Sequence, residues 1–473
     1  AAAAAAILSG AARLAAAAPA SAAAAAAAPG ARPALAAPVA FGWGNNDLGQ
    51  IGDGTTKEKD TAEQIPLSGT PVQVTSAFGV TGAALLSNGT VETWGNDFQG
   101  QLGTGPGSGA ASVPVPAVVP GLGGITQLVG GDDFFLALTS SGTVWSWAND
   151  GSGALGYGTP GSIVDVPHQV PGLTGITQVA AGDFDGVALG SDGTVWTWGG
   201  NLAGELGNGT TTAETAPQQV AGVAGITQVA AGGETVFALS QDGMLLGWGS
   251  GSDGVLGIGD GADRRHPAVV PGISDVQQVS TSGLTTLAIA GLDRNVYGWG
   301  FNTQGQVGDG STTARLVPAF TDLIGINEVS AGQEVSAAVR HDGTLLVWGA
   351  NDNGSVANGT SRTNQLAPAA VAGITDVTSV SVNSGLGLAV GRVPLPPAPT
   401  SGAVPRVTGD LQAAATTAIQ DAGFTLGTAT SSPDRTCNSI GRVLSQNPPA
   451  GTTEPFGTAV SIVVGTRPAT PCP

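Results

Sequence analysis

The sequence predicts a mainly β fold: a seven-bladed β-propeller closed by its N- and C-terminal strands, followed by a small α+β domain. Seven tryptophans recur at intervals of 49 to 53 residues through the first three quarters of the 473-residue chain. Glycine is frequent, with 77 residues, whereas only 10% of the residues are charged. This composition is typical of short strands joined by tight turns and argues against long amphipathic helices.

Each repeat contains one of these tryptophans, followed by glycines at nearly constant offsets. The second copy reads WGN from Trp94 and GQLGTG from Gly100. A hairpin signal such as Asp192-Gly193 precedes the tryptophan, and residues 175–182 carry the alternation of a further strand. Three or four strands per repeat leave no room for a crossover helix, so each repeat predicts one blade. The blade tryptophans are Trp43, Trp94, Trp147, Trp198, Trp248, Trp299 and Trp348.

The two ends of the array predict how the ring closes. The first tryptophan phrase begins at Phe41 without a preceding hairpin, and residues 374–390 supply the missing strands without an eighth tryptophan. Pairing of the strand near residues 39–43 with this last set would close the ring within a single blade. Such closure removes exposed sheet edges.

The repeat, G-x-V-x-x-W-G-x-N-x-x-G-x-L-G-x-G over residues 39–391, resembles that of the RCC1 (regulator of chromosome condensation) family. The resemblance implies a propeller whose loops bind proteins. Nuclear members of the family act on a small GTPase and on chromatin, and this activity is not expected here, because a long insertion and a basic tail are missing. The chain also departs from the histidine usual in one strand of the repeat, with Phe134, Asp185, Thr235, Thr285 and Val335 at the corresponding positions.

A proline-rich linker, residues 392–402, separates the propeller from a second domain at residues 403–473. The first part of this second domain predicts a helix over residues 410–422, with Asp410 as the N-cap and Gly423 at the C-terminal end. A turn and an alternating strand at residues 457–465 follow. The phrases V-P-x-V-x-G, A-G-F and G-T-x-V-x-I-x-V-x-G resemble a PASTA domain over residues 403–466. This resemblance implies weak contact with peptidoglycan or a spacer role.

Cys437 and Cys472 are the only cysteines of the chain. A disulfide between them would close a loop of about 35 residues, a stabilisation of about 3–4 kcal/mol in the chain-entropy model. Two free thiols are the alternative. C-x-x-C spacing is absent, so neither a redox motif nor a zinc site is predicted.

Residues 1–38 are rich in alanine, with four prolines. They resemble the end of a secretion signal, with a membrane anchor or a low-complexity linker as alternatives. We therefore expect a secreted or cell-envelope protein of a bacterium, with no membrane span in the mature chain.

The formal net charge is -19, and residues 41–391 hold 30 acidic against 8 basic residues. Such a surface repels phosphate backbones and anionic headgroups, so binding to nucleic acid is not expected. The acidity is either a solubilising surface or an acidic docking face.

No catalytic or metal-binding arrangement is predicted, and no cofactor is expected. His168, His266 and His341 lie at non-equivalent positions and are interpreted as solvated loop residues. The segment from Asn351 to Gly354 resembles the start of a calcium loop, but the same residue types recur in other repeats and Arg362 stands where the bidentate glutamate belongs. Trp145 and Trp196 are interpreted as packing residues rather than a ligand platform.

Acidic pairs at equivalent positions of adjacent blades are the one candidate for chemistry. Asp132-Asp133 and Asp183 with Asp185 would lie where the blade loops gather at one face, as an acidic patch, a cation site or solvated residues.

The leading hypothesis is a non-catalytic, monomeric binding protein of the cell envelope, whose propeller loops contact an unknown protein partner. The alternatives are a regulator of another protein, resembling an exchange factor or an enzyme inhibitor, and an enzyme that uses the acidic loops.

Overall fold

The computed structural model describes residues 36–105, 112–159, 161, 163–394 and 400–469. They form two compact units, residues 36–394 and residues 400–469. The predicted N-terminal signal lies almost wholly outside the described residues. No helix in the described part of the chain has the length and apolar character that a membrane span requires.

The first unit consists of seven four-stranded antiparallel sheets, the blades of the predicted propeller. The chain enters through β1 (Val39–Gly44) and β2 (Lys59–Ile65) and then builds six complete blades. Blade 1 consists of β3 (Pro71–Ala77), β4 (Thr81–Leu86), β5 (Val91–Gly95) and β6 (Val113–Val118). Blade 2 consists of β7 (Ile125–Gly130), β8 (Phe134–Thr139), β9 (Val144–Ala148) and β10 (Val164–Gln169). Blade 3 consists of β11 (Ile176–Ala181), β12 (Asp185–Gly190), β13 (Val195–Gly199) and β14 (Glu214–Gln219).

Blades 4 to 6 follow the same order, and the last two strands of the unit return to the start. Blade 4 consists of β15 (Ile226–Gly232), β16 (Thr235–Ser240), β17 (Leu245–Gly249) and β18 (Arg264–Val269), and blade 5 of β19 (Val276–Thr281), β20 (Thr285–Ala290), β21 (Asn295–Gly300) and β22 (Arg315–Phe320). Blade 6 consists of β23 (Ile326–Ala331), β24 (Val335–Arg340), β25 (Leu345–Gly349) and β26 (Gln365–Ala370). The returning strands are β27 (Thr375–Asn383) and β28 (Leu386–Arg392). A short 3₁₀ helix, Ser252–Gly254, lies in the loop between β17 and β18.

Blade 7 closes the ring as predicted. Its strand order is β27-β28-β1-β2, so the two ends of the propeller share one sheet. In the antiparallel pair of β1 and β28, Phe41 lies opposite Ala389. Backbone hydrogen bonds of this pair therefore hold the ring shut.

The fourth strand of each blade is the element that the sequence pattern left undecided. These outer strands do not alternate in hydropathy, and their residues are half-buried or exposed, as in β14. Six of them carry a proline at their fourth position, which an outermost strand tolerates because the missing N–H faces away from the sheet. These residues are Pro116, Pro167, Pro217, Pro267, Pro318 and Pro368.

Each blade tryptophan links its blade to the preceding one. All seven are fully buried. Each indole Nε1–H donates a hydrogen bond of 2.7–2.9 Å to a backbone carbonyl in the glycine-rich loop of the preceding blade. At Gly103 of this loop, with φ +63°, a Cβ would lie 2.7 Å from Nε1 of Trp147, so the glycine permits the approach. The acceptors, in the order of the tryptophans, are Ser355, Gln50, Gln101, Ala154, Glu205, Val255 and Gln306.

A second set of links runs around the central channel, between the first strands of neighbouring blades. The side-chain amide of Gln127 donates to the carbonyl of Val179 (3.0 Å), and its oxygen accepts from the Val179 N–H (2.9 Å). Gln73, Gln178 and Gln278 make the same double contact. Between blades 6 and 7 this position holds Glu328, which accepts from the Val380 N–H at 3.3 Å.

The second unit packs one helix against a small sheet, as predicted. Its elements are β29 (Ser401–Ala403), α1 (Gln412–Asp421), β30 (Thr425–Pro433), β31 (Val443–Asn447), β32 (Thr453–Pro455) and β33 (Ala459–Thr466). The sheet order is β30-β33-β31, with β29 paired to β32. Ile419 and Phe424 lie in its core.

The predicted N-cap of this helix is wrong. Leu411, not Asp410, is the N-cap residue, and no side chain caps the helix. The chain stays extended through Leu411 because this residue bridges to Arg442, while the Asp410 carbonyl accepts from the Val443 N–H. The predicted end is right, since Gly423 has φ +84° and donates to the Gln420 carbonyl at 2.9 Å.

Cys437 lies in the segment between β30 and β31, and Cys472 lies outside the described residues. The disulfide therefore stays a prediction.

Candidate binding face

The loops that join first to second strands, and third to fourth strands, all emerge at the same end of the propeller, because strands in a blade alternate in direction. We call this end the loop face. We call the loops between the first and second strands the inner loops, because they surround the mouth of the channel. In blades 1 to 7 they include Phe78, Asp132, Asp183, Gly233, Ser282, Gln333 and Ser384.

The inner loops are held to one another by hydrogen bonds across the blade boundaries. The Phe78 N–H donates to Gly131 (3.1 Å), and the Asp132 N–H donates to the Asp183 carbonyl (3.1 Å). The Asp183 N–H donates in turn to Gly233 at 2.8 Å. Backbone hydrogen bonds thus connect the part of the rim formed by blades 1 to 4 and position its side chains.

The structure brings together the acidic loops of blades 2 and 3 that the sequence singled out. Asp133 accepts a hydrogen bond of 2.9 Å from the Gln101 side chain of blade 1. Burial, with the nearby charges of Asp133 and Asp183, raises the pKa of Asp132 to about 7. Burial and then the charge of Glu234 raise the pKa of Asp183 to about 6.

Two further carboxylates, on Glu205 and Glu234, belong to this cluster. Asp185 begins β12, is 1% exposed, and its Oδ2 has no hydrogen-bond partner. Burial, then the charges of Glu205, Asp183 and Glu234, raise the pKa of Asp185 well above its usual value. Sequence reasoning did not group Glu205 with the acidic loops; the signal was its place in the G-x-L-G phrase, where blades 1, 5 and 7 have glutamine.

A cavity of about 250 Å³ opens on the loop face beside this cluster. Its polar lining comes from blades 3 to 6 and consists of Asp183, Glu234, Ser250, Ser252, Ser282 and Gln333.

Exposed apolar side chains accompany the acidic cluster on the same face. Phe98 and Leu202, in the loops after the third strands of blades 1 and 3, are 57% and 80% exposed. Phe184, in the inner loop of blade 3, is 41% exposed. Large apolar side chains beside polar groups are characteristic of protein-binding surfaces.

The histidines do not form a site, and two of them are placed differently from the prediction. His168 and His266 lie in the outer strands β10 and β18 rather than in loops, because the undetected fourth strands include them. His168 packs edge-on against Tyr157, with 6.0 Å between ring centroids. His341 is in an exposed turn. Within the described ranges, no group of three or more His, Cys, Asp or Glu side chains is arranged to hold a metal ion.

The segment that resembles a calcium loop has a structural role. The Asn351 side-chain oxygen accepts from the Val356 N–H (3.2 Å), and Asn46 makes the equivalent contact with Ile51 (2.9 Å). These side chains therefore hold the glycine-rich loops. Trp145 and Trp196 are half-buried and pack against the core of blades 2 and 3.

Comparison with known proteins agrees with this architecture. The family model of RCC1-like domains matches residues 39–391, and that of PASTA domains matches residues 402–466. The ultraviolet-B receptor UVR8 of Arabidopsis thaliana is 33% identical over 341 residues, which is 69% of this chain and 76% of that protein. The human E3 ubiquitin-protein ligase HERC2 is 37% identical over 179 residues, which is 36% of this chain but only 4% of HERC2.

Solved structures share the propeller fold at low sequence identity. Prp20p of Saccharomyces cerevisiae superimposes with a TM-score of 0.68 and 21% identity, covering 76% of this chain and 93% of that one. Human WBSCR16 gives a TM-score of 0.67 at 21% identity, covering 75% of this chain and all of that one.

Proposed function

The chain belongs to the RCC1-like domain family and carries a PASTA domain, and from this membership we propose that it is a non-catalytic binding protein of the bacterial cell envelope. The propeller binds a protein partner through its loop face, and the PASTA domain contacts peptidoglycan. The observation that carries the proposal is the combination, on the loop face, of exposed Phe98, Phe184 and Leu202 with a carboxylate cluster. We propose that the chain acts as an exported monomer.

Photo-crosslinking of the full chain tests which face binds the partner. A photoreactive phenylalanine analogue at Phe184 is expected to form adducts with a protein of the cell envelope when the variant is expressed in the source organism. The matched control carries the analogue at Met244, which is 48% exposed on the opposite face, in the hairpin of blade 4. Equal adducts at both positions, or adducts at Met244 alone, would contradict a partner at the loop face.

The PASTA domain offers a separate and weaker contact. A cavity of about 140 Å³ on its sheet is lined by Thr428, Thr430, Ser445, Asn447 and Ser461, among others. Hydroxyl and amide groups of this kind pair with the amides and hydroxyls of a glycopeptide.

Co-sedimentation with purified peptidoglycan sacculi tests this second contact. We expect a fraction of the full chain to pellet, and Thr430→Tyr to reduce that fraction by filling the cavity. Thr417→Tyr, on the exposed side of α1, is the control and should pellet like the unmodified chain. If the full chain stays in the supernatant when sacculi are pelleted, the result contradicts peptidoglycan binding and favours a spacer role for the PASTA domain.

Regulation of another protein is the second candidate function. Prp20p, with the same fold, is described as binding Gsp1p and histones. If the partner crosslinked at Phe184 is an enzyme whose rate changes on binding, the regulatory role is favoured over adhesion.

A further inference from the structure

The boundary between blades 3 and 4 lacks a side-chain donor that two other boundaries have. In blade 1, Gln101 reaches the next blade and donates to Asp133 (2.9 Å). In blade 5, Gln306 donates to the Gln333 carbonyl (3.2 Å). The equivalent residue of blade 3 is Glu205, whose carboxylate oxygens accept from the Leu202 and Ala203 N–H groups at 2.9 Å. An ionised carboxylate has no N–H or O–H to donate across the boundary.

Instead, this boundary concentrates negative charge. Burial is the main cause that raises the pKa values of Asp183, Asp185 and Glu205, and the nearby charge of Glu234 raises each of them further. The sequence contains no lysine or arginine between Lys59 and Arg264, so blades 1 to 3 supply no basic residue to neutralise the cluster. Among the described residues, the ion pairs involve Asp53, Asp260, Asp309 and Asp376. None of them involves the four carboxylates at this boundary, which are Asp183, Asp185, Glu205 and Glu234.

Asp185 provides a second observation at this cluster, independent of the number of charges. Its buried Oδ2 has no hydrogen-bond partner. Its Oδ1 lies directly beneath the rim, since a Cβ built on Gly182 would be 2.1 Å from it. Leaving a buried polar atom unsatisfied is costly, so this oxygen requires a physical explanation.

We propose that the 250 Å³ cavity next to this cluster receives a lysine or arginine side chain of the protein partner. This rests on the proposed function and names the chemistry of the partner. Asp183 and Glu234 at the cavity wall provide the negative charge, and Ser250, Ser252 and Ser282 provide hydroxyl oxygens that accept from an ammonium or guanidinium group.

The size and ligand set of the cavity favour an organic cation over a metal ion. The volume is below the range of about 300–1,000 Å³ typical of small-molecule sites and suits a single side chain. The part of the chain that the structure describes holds no group of three carboxylates or imidazoles arranged for a metal. Asp185 and Glu205 are not among the residues that line the cavity, and burial, which raises the pKa of Asp185 well above its usual value, favours the protonated form of that carboxyl.

Binding of short peptides to the full chain tests the proposal. The probes are acetylated tetra-arginine and tetra-lysine, with tetraglycine as the uncharged reference, measured by calorimetry at low and high salt. We expect both cationic peptides to bind, tetraglycine not to bind, and the affinity to fall as salt screens the charges. Affinity should rise between pH 5 and pH 8, because the pKa of Asp183 is about 6 and the ionised form attracts the cation.

Two variants separate this cavity from the general acidity of the chain. Asp183→Asn with Glu234→Gln should lower peptide affinity about tenfold or more. Asp242→Asn is the matched control, since it removes one charge from the hairpin at the opposite face of blade 4 and should change affinity less than about twofold. Circular dichroism establishes that each variant is folded.

The outcomes are distinct from those of the crosslinking experiment. Three results would each overturn the proposed site for a cationic side chain. They are no peptide binding to the unmodified chain, an unchanged peptide affinity in the double variant, and an equal loss of affinity in Asp242→Asn. The crosslinking adducts at Phe184 can persist in the double variant even if the unmodified chain binds no cationic peptide. In that case the loop face still binds a partner, and only the proposed recognition of a lysine or arginine side chain fails.

Discussion

Replacing Trp147 by alanine is expected to destabilise the propeller by about 3–5 kcal/mol. The side chain is fully buried and stacks on Phe135, with 5.4 Å between ring centroids. Its removal leaves a cavity at the boundary with blade 1. It also leaves the Gln101 carbonyl without the indole donor 2.9 Å away. Urea unfolding followed by circular dichroism measures the loss.

Trp145→Ala is the matched control for this prediction. Trp145 lies two residues earlier in the same strand, β9, and is half-buried. Its replacement should cost about 1–2 kcal/mol, because less apolar area leaves contact and no link between blades is lost. Equal destabilisation by the two variants would show that the link between blades contributes little. Trp147→Phe keeps most of the packing and isolates the hydrogen bond, at about 1–2 kcal/mol.

Glu328→Gln is expected to stabilise the protein above pH 7 and to have little effect near pH 4. Burial raises the pKa of Glu328 from 4.5 to about 7, and the hydrogen bond from Val380 offsets this in part. The folded state thus holds a proton that the unfolded state releases. The stability that this proton provides is complete below pH 4.5 and is lost as the pH rises through 7.

The physical reason is the place of Glu328 in the ring of channel links. Where glutamine both accepts from and donates to the next blade, an ionised glutamate only accepts. Restoring glutamine supplies the donor at the boundary between blades 6 and 7. We expect a gain of about 1–3 kcal/mol at pH 8, the lower part of the range reflecting solvent in the channel.

Thermal unfolding at pH 4, 6 and 8 measures the effect of Glu328→Gln. The control is Glu334→Gln, which neutralises an exposed glutamate of the same blade and should shift stability by less than about 0.5 kcal/mol at every pH. A gain at pH 8 that is the same for both variants would assign it to net charge. A gain of equal size at pH 4 and pH 8 would contradict the titration of Glu328.

The fold could be predicted from the sequence because its determinants are local and repeated. The spacing from Trp43 to Trp348 counts the blades, and the unpaired phrases near Phe41 and at residues 374–390 indicate the closing strands. The outer strands were harder to predict, because a strand exposed on one edge carries little hydropathy pattern and tolerates proline. The helix start failed for a related reason: the bridge from Leu411 to Arg442 is a tertiary contact.

The candidate site could be predicted only in part. Asp132 and Asp133 lie in the same loop of the repeat as Asp183 and Asp185 of the next blade, so their approach follows from the blade geometry. Glu234 lies in the same loop of the following blade, whereas Glu205 belongs to the glycine-rich phrase, and a repeat pattern does not tell which glycine-rich loop faces which inner loop.

The amino-acid sequence by itself determined the number of blades, their closure and the second domain, since periodic residues encode which side of each strand is buried. Only the tertiary structure decided which carbonyl each tryptophan bonds, which residues cross the blade boundaries and where carboxylates accumulate. Those features depend on distances between segments about fifty residues apart. The charge state of Asp185 and Glu328 follows from burial and neighbours that exist only in the folded ring.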